Sequence, residues 1–223
     1  MERFCAVIPA YNEEGRIQSV IAGASRHVQS VIVVDDGSRD RTADVAEGAG
    51  AVVMRHAANL GKGSALKTGL ARAAEEGFEA AITLDADGQH DPEEIPRLVE
   101  EYRATGADIV LGSRMRNRAG MPFVRLATNL VTSTVISWIA GTRITDSQSG
   151  FRLIKCATAA RLPVSTSRFD AESEILVKAA RRGMVIREVP VSTIYGGRRS
   201  KINPLRDTCR FVKLVLRLIV RRD

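Results

Sequence analysis

The sequence is poor in aromatic residues and in cysteine, and it shows no long unbroken apolar run. Phe, Trp and Tyr make up 4% of 223 residues, too few to supply the stacking platforms of a single-stranded nucleic-acid binder. Cys5, Cys156 and Cys209 stand far apart with no C-x-x-C spacing. That excludes a disulfide framework and a thiolate metal site, and points to reduced thiols in a cytoplasmic protein. Residues 4–8 already read as a strand, so no signal peptide is expected. No apolar run approaches the roughly 20 residues that span a bilayer, so the chain is expected not to cross a membrane. Internal repeats and low-complexity tracts are likewise missing.

What is present is a composition of 44% hydrophobic and 26% charged residues, which suits a single α/β domain. The net charge of +7 is uneven. Residues 195–223 hold nine Lys/Arg against two Asp, while residues 1–194 balance at 24 of each sign. The basicity therefore belongs to the tail and calls for an anionic partner.

Short apolar runs at 4–8, 31–34, 51–54, 80–84 and 108–111 predict strands, with helices between them at 13–27, 40–48, 62–76 and 93–105. This alternation predicts a parallel, doubly wound sheet, whose ligands bind beyond the carboxyl ends of its strands. Farther on, helices are expected at 122–141, 171–181 and 205–222, and strands at 150–154 and 185–191.

The turns after three strands carry carboxylates, and in such a sheet they share one edge. Asp85 and Asp87 flank Ala86 directly after a strand, where clustered hard oxygen ligands suit Mg²⁺ or Mn²⁺ and a substrate diphosphate. Gln89 adds a neutral oxygen. Asp91-Pro92-Glu93 already caps the following helix, so Asp85 and Asp87 are spare for that task. Asp35 and Asp36 can accept hydrogen bonds from a base or ribose, or simply make a turn. Residues 59–64 resemble a phosphate loop but fail its pattern, because His56 replaces the first glycine. Their amides and Lys62 either face a donor or form a plain turn. His90 reads as a solvated turn residue.

Val7-Ile8-Pro9-Ala10-Tyr11-Asn12-Glu13-Glu14, Val34-Asp35-Asp36-Gly37-Ser38, Asn59-Leu60-Gly61-Lys62-Gly63 and Asp85-Ala86-Asp87-Gly88-Gln89 occur in that order. Gly112-Ser113-Arg114, the run from Asp146 to Arg152, and Ser200-Lys201 follow. Taken together the set resembles glycosyltransferase family 2, and most of all its dolichyl-phosphate mannose synthase branch. The resemblance implies a GT-A fold and inverting transfer of a hexose from GDP-mannose or a UDP-hexose to a polyprenyl phosphate. It places Pro9, Tyr11, Glu13, Val34 and Asp36 around the nucleoside, and Asp85, Ala86, Asp87 and Gly88 at the diphosphate. It assigns a Mg²⁺ or Mn²⁺ to Asp87 and Gln89 with Asp85, and phosphate contacts to Arg114 and Lys201. Arg125 matches an arginine that faces the lipid phosphate, with Asn129 one turn later. Tyr195-Gly196-Gly197-Arg198-Arg199 departs from the family's tail pattern, so no arginine there is carried over.

A phosphomonoester acceptor is anionic near neutral pH, so such a transfer needs positioning and cations rather than a strong base. Arg114, Arg125, Arg152 and Lys201 are the candidate cations. Asp146 either orients one of them or acts at the reaction centre; alternatively it forms a salt bridge with Arg152 that pins the strand.

In 205–222, Arg206, Arg210, Lys213, Arg217 and Arg221 share one helical face and apolar residues cover the rest. A helix of that kind suits the cytoplasmic face of a membrane, as a peripheral anchor beside helix 122–141. Packing on the sheet, in a homodimer or against a membrane-protein partner is the alternative. On this reading residues 1–204 form the transferase domain and 205–223 the basic helix. Three further readings compete: a sugar nucleotidyltransferase, a transferase acting on a polysaccharide hydroxyl, and a basic nucleic-acid binder. The first lacks a triphosphate loop, the second an evident base, and the third the aromatics.

Overall fold

Seven short runs rich in Val, Ile, Leu and Ala form one sheet. The computed structural model describes residues 2–115, 121–162, 171–194, 211–216 and 218. The strands are β1 (Phe4–Ala10), β2 (Ser30–Asp35), β3 (Val52–Arg55), β4 (Ala80–Thr83), β5 (Ile109–Ser113), β6 (Arg152–Lys155) and β7 (Ile186–Pro190). The helices are α1 (Ile17–Ala24), α2 (Thr42–Gly48), α3 (Lys62–Glu75), α4 (Ile95–Thr105), α5 (Phe123–Ala140), α6 (Cys156–Arg161) and α7 (Ala171–Arg181). The sheet order is β3-β2-β1-β4-β6-β5-β7. It is mostly parallel, as expected, but β6 runs antiparallel to both β4 and β5. Nothing in Arg152-Leu153-Ile154-Lys155 marks that reversal.

Both faces of the sheet are buried, which is why β1 reads as a continuous apolar run. Phe4, Ala6, Ile8 and Ala10 join one core with α1 and α4. Cys5 and Val7 point the other way, into a core shared with α3, α5, α6 and α7. A Cβ on Gly69 would lie 2.4 Å from Val7 Cγ1, so α3 is seated directly on β1. Cys5 and Cys156 are free and buried. Burial pushes both thiols up, Cys156 to about 11.

Helix ends follow their local signals. Asp91 accepts from Glu93 N at 3.0 Å, and Pro92 opens the 3₁₀ turn that leads into α4. Gly106 (φ +64°) and Gly141 (φ +68°) end α4 and α5 in the left-handed conformation that glycine adopts without strain. Helix α1 is shorter than the expected 13–27 because residues 12–14 are tied elsewhere. Asn12 N, Glu13 N and Glu14 N donate to Ser38 Oγ, Thr42 Oγ1 and Asp40 Oδ2.

Helix α5 corrects the expectation about membrane-spanning runs: at 18 residues it is long and apolar enough to cross a bilayer by length and composition. Its two faces differ, however. Asn129, Thr132, Ser133 and Ile136 are buried, whereas Phe123, Val124, Val131 and Trp138 are 63–81% exposed. Of the expected helix 205–222, residues 211–216 and 218 are described and are helical. Leu214 and Leu218 are buried in the second core while Lys213 is exposed. Arg206, Arg210, Arg217 and Arg221 lie outside the described residues, as do Cys209 and Lys201.

Candidate active site

Parallel strands deliver the turns after β1, β2 and β4 to one edge, where the order passes from β2 through β1 to β4. The first two turns interlock through the bonds from residues 12–14. Gly37 (φ +72°) lies so close to the 58–59 backbone that a Cβ would meet Ala58 C at 2.6 Å. Asp36, expected at the nucleoside, is buried and already engaged. It accepts from Leu60 N (3.0 Å), Gly61 N (2.7 Å) and His56 Nδ1 (2.8 Å). This carboxylate thus satisfies the amides at the start of α3, and those amides do not face a donor. Val34 is fully buried and can offer a ligand its main chain alone. Pro9 and Glu13 are half-buried and Tyr11 is exposed in the turn after β1.

The turn after β4 separates Asp85 from Asp87. Lys62 Nζ lies 2.5 Å from Asp85 Oδ1 and 2.7 Å from Glu172 Oε1 on α7. Burial alone would raise the Asp85 carboxyl; the Lys62 ammonium overrides it and holds it at about 2. Burial alone would lower Lys62, and its two carboxylates reverse that and raise it. A Cβ on Gly150 would come within 3.0 Å of Lys62 Nζ, so the glycine makes room for this cluster. Glu172 Oε2 is buried without a hydrogen-bond partner.

Asp87 pairs with Gln89 instead. Gln89 N and Nε2 donate to its two oxygens at 3.0 and 2.7 Å. Arg125 Nη1, from α5, donates to Gln89 Oε1 at 3.3 Å. Ala86 is buried, and Gly88 adopts φ +73° to turn the chain between the two. Among the described residues no three His, Cys, Asp or Glu side chains gather as a metal cluster. The donor set nonetheless fits a hard cation shared with a ligand: the Asp87 carboxylate and, once its amide is turned, the Gln89 oxygen, with phosphate and water completing the shell. Asp85, the third residue expected in that set, is ion-paired with Lys62.

His90 is not a solvated turn residue. It is buried, stacked on Phe151 with centroids 5.4 Å apart, and its Nδ1 accepts from Asp85 N at 3.1 Å. Burial lowers its pKa, so it stays neutral and braces the acidic turn.

The arginines have separate tasks. Arg114 Nε and Nη2 donate to Asp146 Oδ2 and Oδ1, both at 2.7 Å, and Arg114 N adds a third bond at 3.0 Å. Asn129 Nδ2 donates to Asp146 Oδ1 at 2.7 Å, and Asn129 Oδ1 accepts from Ser133 Oγ. Asn129, expected at the acceptor phosphate, is therefore spent inside the protein. Burial alone would raise the Asp146 carboxyl, but these bonds hold it below the usual range. Arg152 also departs from expectation. It donates to the carbonyls of Ser149, Glu172 and Ser147 at 2.6–3.0 Å and is 1% exposed. Burial brings it down to about 10. The alternative Asp146–Arg152 salt bridge gives way to Asp146–Arg114. Sequence reading missed Glu172 as the second partner of Lys62, since 110 residues separate them and an acid at a helix start reads as a dipole partner.

Known proteins resemble this chain in sequence and in fold. A 33%-identical relative is the UDP-N-acetylglucosamine–dolichyl-phosphate N-acetylglucosaminyltransferase of Methanococcus voltae; the match covers 85% of this chain and 84% of that one. The undecaprenyl-phosphate mannosyltransferase of Micrococcus luteus is 28% identical over 86% of this chain and 84% of its own. Among solved structures, glucosyl-3-phosphoglycerate synthase of Mycobacterium tuberculosis, complexed with Mn²⁺, UDP and glucosyl-3-phosphoglycerate, aligns with a TM-score of 0.75. That match is 22% identical and covers 98% of this chain and 79% of that one. Residues 5–163 match the model of glycosyl transferase family 2, and the chain belongs to that family.

Proposed function

We propose that the protein transfers a hexose, with inversion, from a nucleotide-sugar to a polyprenyl phosphate at the cytoplasmic face of a membrane. The observation that carries this reading is the contact between Arg125 and Gln89. It joins the oxygen-bearing turn after β4 to a helix whose outer face is apolar and exposed. A cation on that helix sits where a lipid-borne phosphate would meet a nucleotide diphosphate. The names of the Methanococcus and Micrococcus relatives, both polyprenyl-phosphate transferases, support the same acceptor class.

In this reaction an acceptor phosphate oxygen forms a bond to the anomeric carbon as the bond from that carbon to the nucleotide diphosphate breaks. The acceptor is already anionic, so no side chain has to remove a proton. Arg125 holds the acceptor phosphate; Lys201 is a second candidate in the tail. Asp146 fixes Arg114 by a fork of hydrogen bonds, so the guanidinium offers its charge at a set place. Lys62 keeps Asp85 anionic and still, and His90 braces the backbone of the same turn. Asp87 and Gln89 would hold a Mg²⁺ or Mn²⁺, which when bound offsets charge on the departing diphosphate. Pro9, Tyr11 and Glu13 border the nucleoside.

The test is direct. Purified protein is incubated with a panel of GDP- and UDP-sugars, Mn²⁺ or Mg²⁺, and a polyprenyl phosphate in detergent. Nucleoside diphosphate and a lipid-linked sugar should appear together. Release of pyrophosphate, or transfer to a polysaccharide hydroxyl with the lipid phosphate ignored, would overturn the reading.

A further inference from the structure

Outside the cleft, Glu188 of β7 carries a carboxylate turned toward the face of the sheet on which Ile186 packs into the second core. Among the described residues its oxygens accept from Thr145 alone: from N at 2.7 Å and from Oγ1 at 2.6 Å. An ionised carboxylate can only accept, so the Thr145 hydroxyl donates to it and must accept from Ser113 Oγ, 2.6 Å away. Ser113 Oγ in turn lies 3.4 Å from Met115 N. The chain of bonds therefore has one direction, set by the charge on Glu188.

Ser113 and Thr145 immediately precede Arg114 and Asp146, the two members of the buried fork. The same loop is pinned on its other side by α5, where Ser137 Oγ accepts from Ile144 N and Ser133 Oγ accepts from Ser147 N, both at 2.9 Å. Between these anchors Glu188 supplies the sheet-side hold. We infer that Glu188 is a positioning residue for glycosyl transfer, setting the depth of loop 144–147 and hence the seat of Arg114 on Asp146. This rests on the function proposed above.

The test compares Glu188→Ala, Glu188→Gln and Thr145→Val in the transfer assay. Glu188→Ala should lower kcat about tenfold or more through small displacements at the site, while KM for the nucleotide-sugar moves less than about twofold. Glu188→Gln should recover most of the loss, because its amide oxygen still accepts from Thr145 N. Thr145→Val keeps the bond from residue 145 N to Glu188 and should therefore lose less than Glu188→Ala. When combined with Asp146→Asn, Glu188→Ala should add little, since both act through one element. Additive losses, an unchanged kcat, or a loss matched by the unfolded fraction would overturn the inference. Wild-type protein inactive with every nucleotide-sugar would instead defeat the functional reading. In that case amide exchange of peptide 144–147 decides: faster in Glu188→Ala supports the hold, and unchanged exchange sinks it.

Discussion

The Arg114 guanidinium meets the Asp146 carboxylate as a fork, Nε to Oδ2 and Nη2 to Oδ1, each at 2.7 Å, with Asp146 fully buried. Removing one partner leaves an uncompensated buried charge, which typically costs about 3–5 kcal/mol. In the native protein the Asp146 carboxyl lies below its ordinary value of 3.8. The pair's contribution is therefore full above that value and is lost as pH falls through the lower, folded one. In Arg114→Ala the sign reverses: burial now raises the carboxyl, so the variant loses stability as pH rises. Urea unfolding should show a gap between the two proteins that is widest near pH 7 and narrows toward about pH 4. A gap independent of pH would remove the charge from this account.

Arg152 is buried at one end of the same site but spends its guanidinium on three backbone carbonyls. Arg152→Met would leave those acceptors without partners, each costing about 1–3 kcal/mol. The expected result is a fall in melting temperature of several degrees, with kcat per folded molecule nearly preserved. Loss of turnover at unchanged stability would return Arg152 to the acceptor phosphate, where the need for cations between two anions put it.

Asp87 is the counter-case. Among the described residues its carboxylate bonds to Gln89 alone, and it holds no strand or helix in place. Asp87→Ala should abolish turnover at near-native melting temperature, a loss of several kcal/mol in transition-state stabilisation. Stabilisation by Mn²⁺ with nucleoside diphosphate, read by thermal shift, should vanish in parallel. Near-normal turnover that still depends on the metal would move the ion elsewhere.

The sheet and the acidic turn were legible because their signals are local. A run such as Val31–Val34 buried on both faces, or two carboxylates ending a strand, is visible within a few residues. The partnerships were not. Lys62 with Glu172, Asp36 with the amides of residues 60 and 61, and Asp146 with Arg114 instead of Arg152 are chosen by which strands neighbour one another. That choice turns on the antiparallel insertion of β6 between β4 and β5, which brings residues 146–152 against the turn after β4. An apolar period likewise found α5 without revealing that Asn129, Thr132 and Ser133 face inward.

The two faces of α5 give the last prediction. Asn129 and Ser133 bind the loop that holds Asp146, so the inner face cannot leave the protein without dismantling the site. A bilayer-crossing pose would require that, although the helix is long enough. The outer face, with Phe123 at 81%, Val131 at 63% and Trp138 at 76% exposure, instead fits a helix lying in the headgroup region, with the Trp at the interface. Each large apolar side chain buried there contributes about 1.5–3 kcal/mol. Replacing Phe123, Val131 and Trp138 with Ser should therefore cut recovery with floated anionic liposomes by at least about tenfold. Turnover of a short-chain, water-soluble polyprenyl phosphate should hardly change. Flotation that survives the triple substitution and is lost on deleting 205–223 would assign the membrane contact to the basic tail alone. Flotation lost in neither variant would leave α5's face to another protein surface, such as a second copy of this chain.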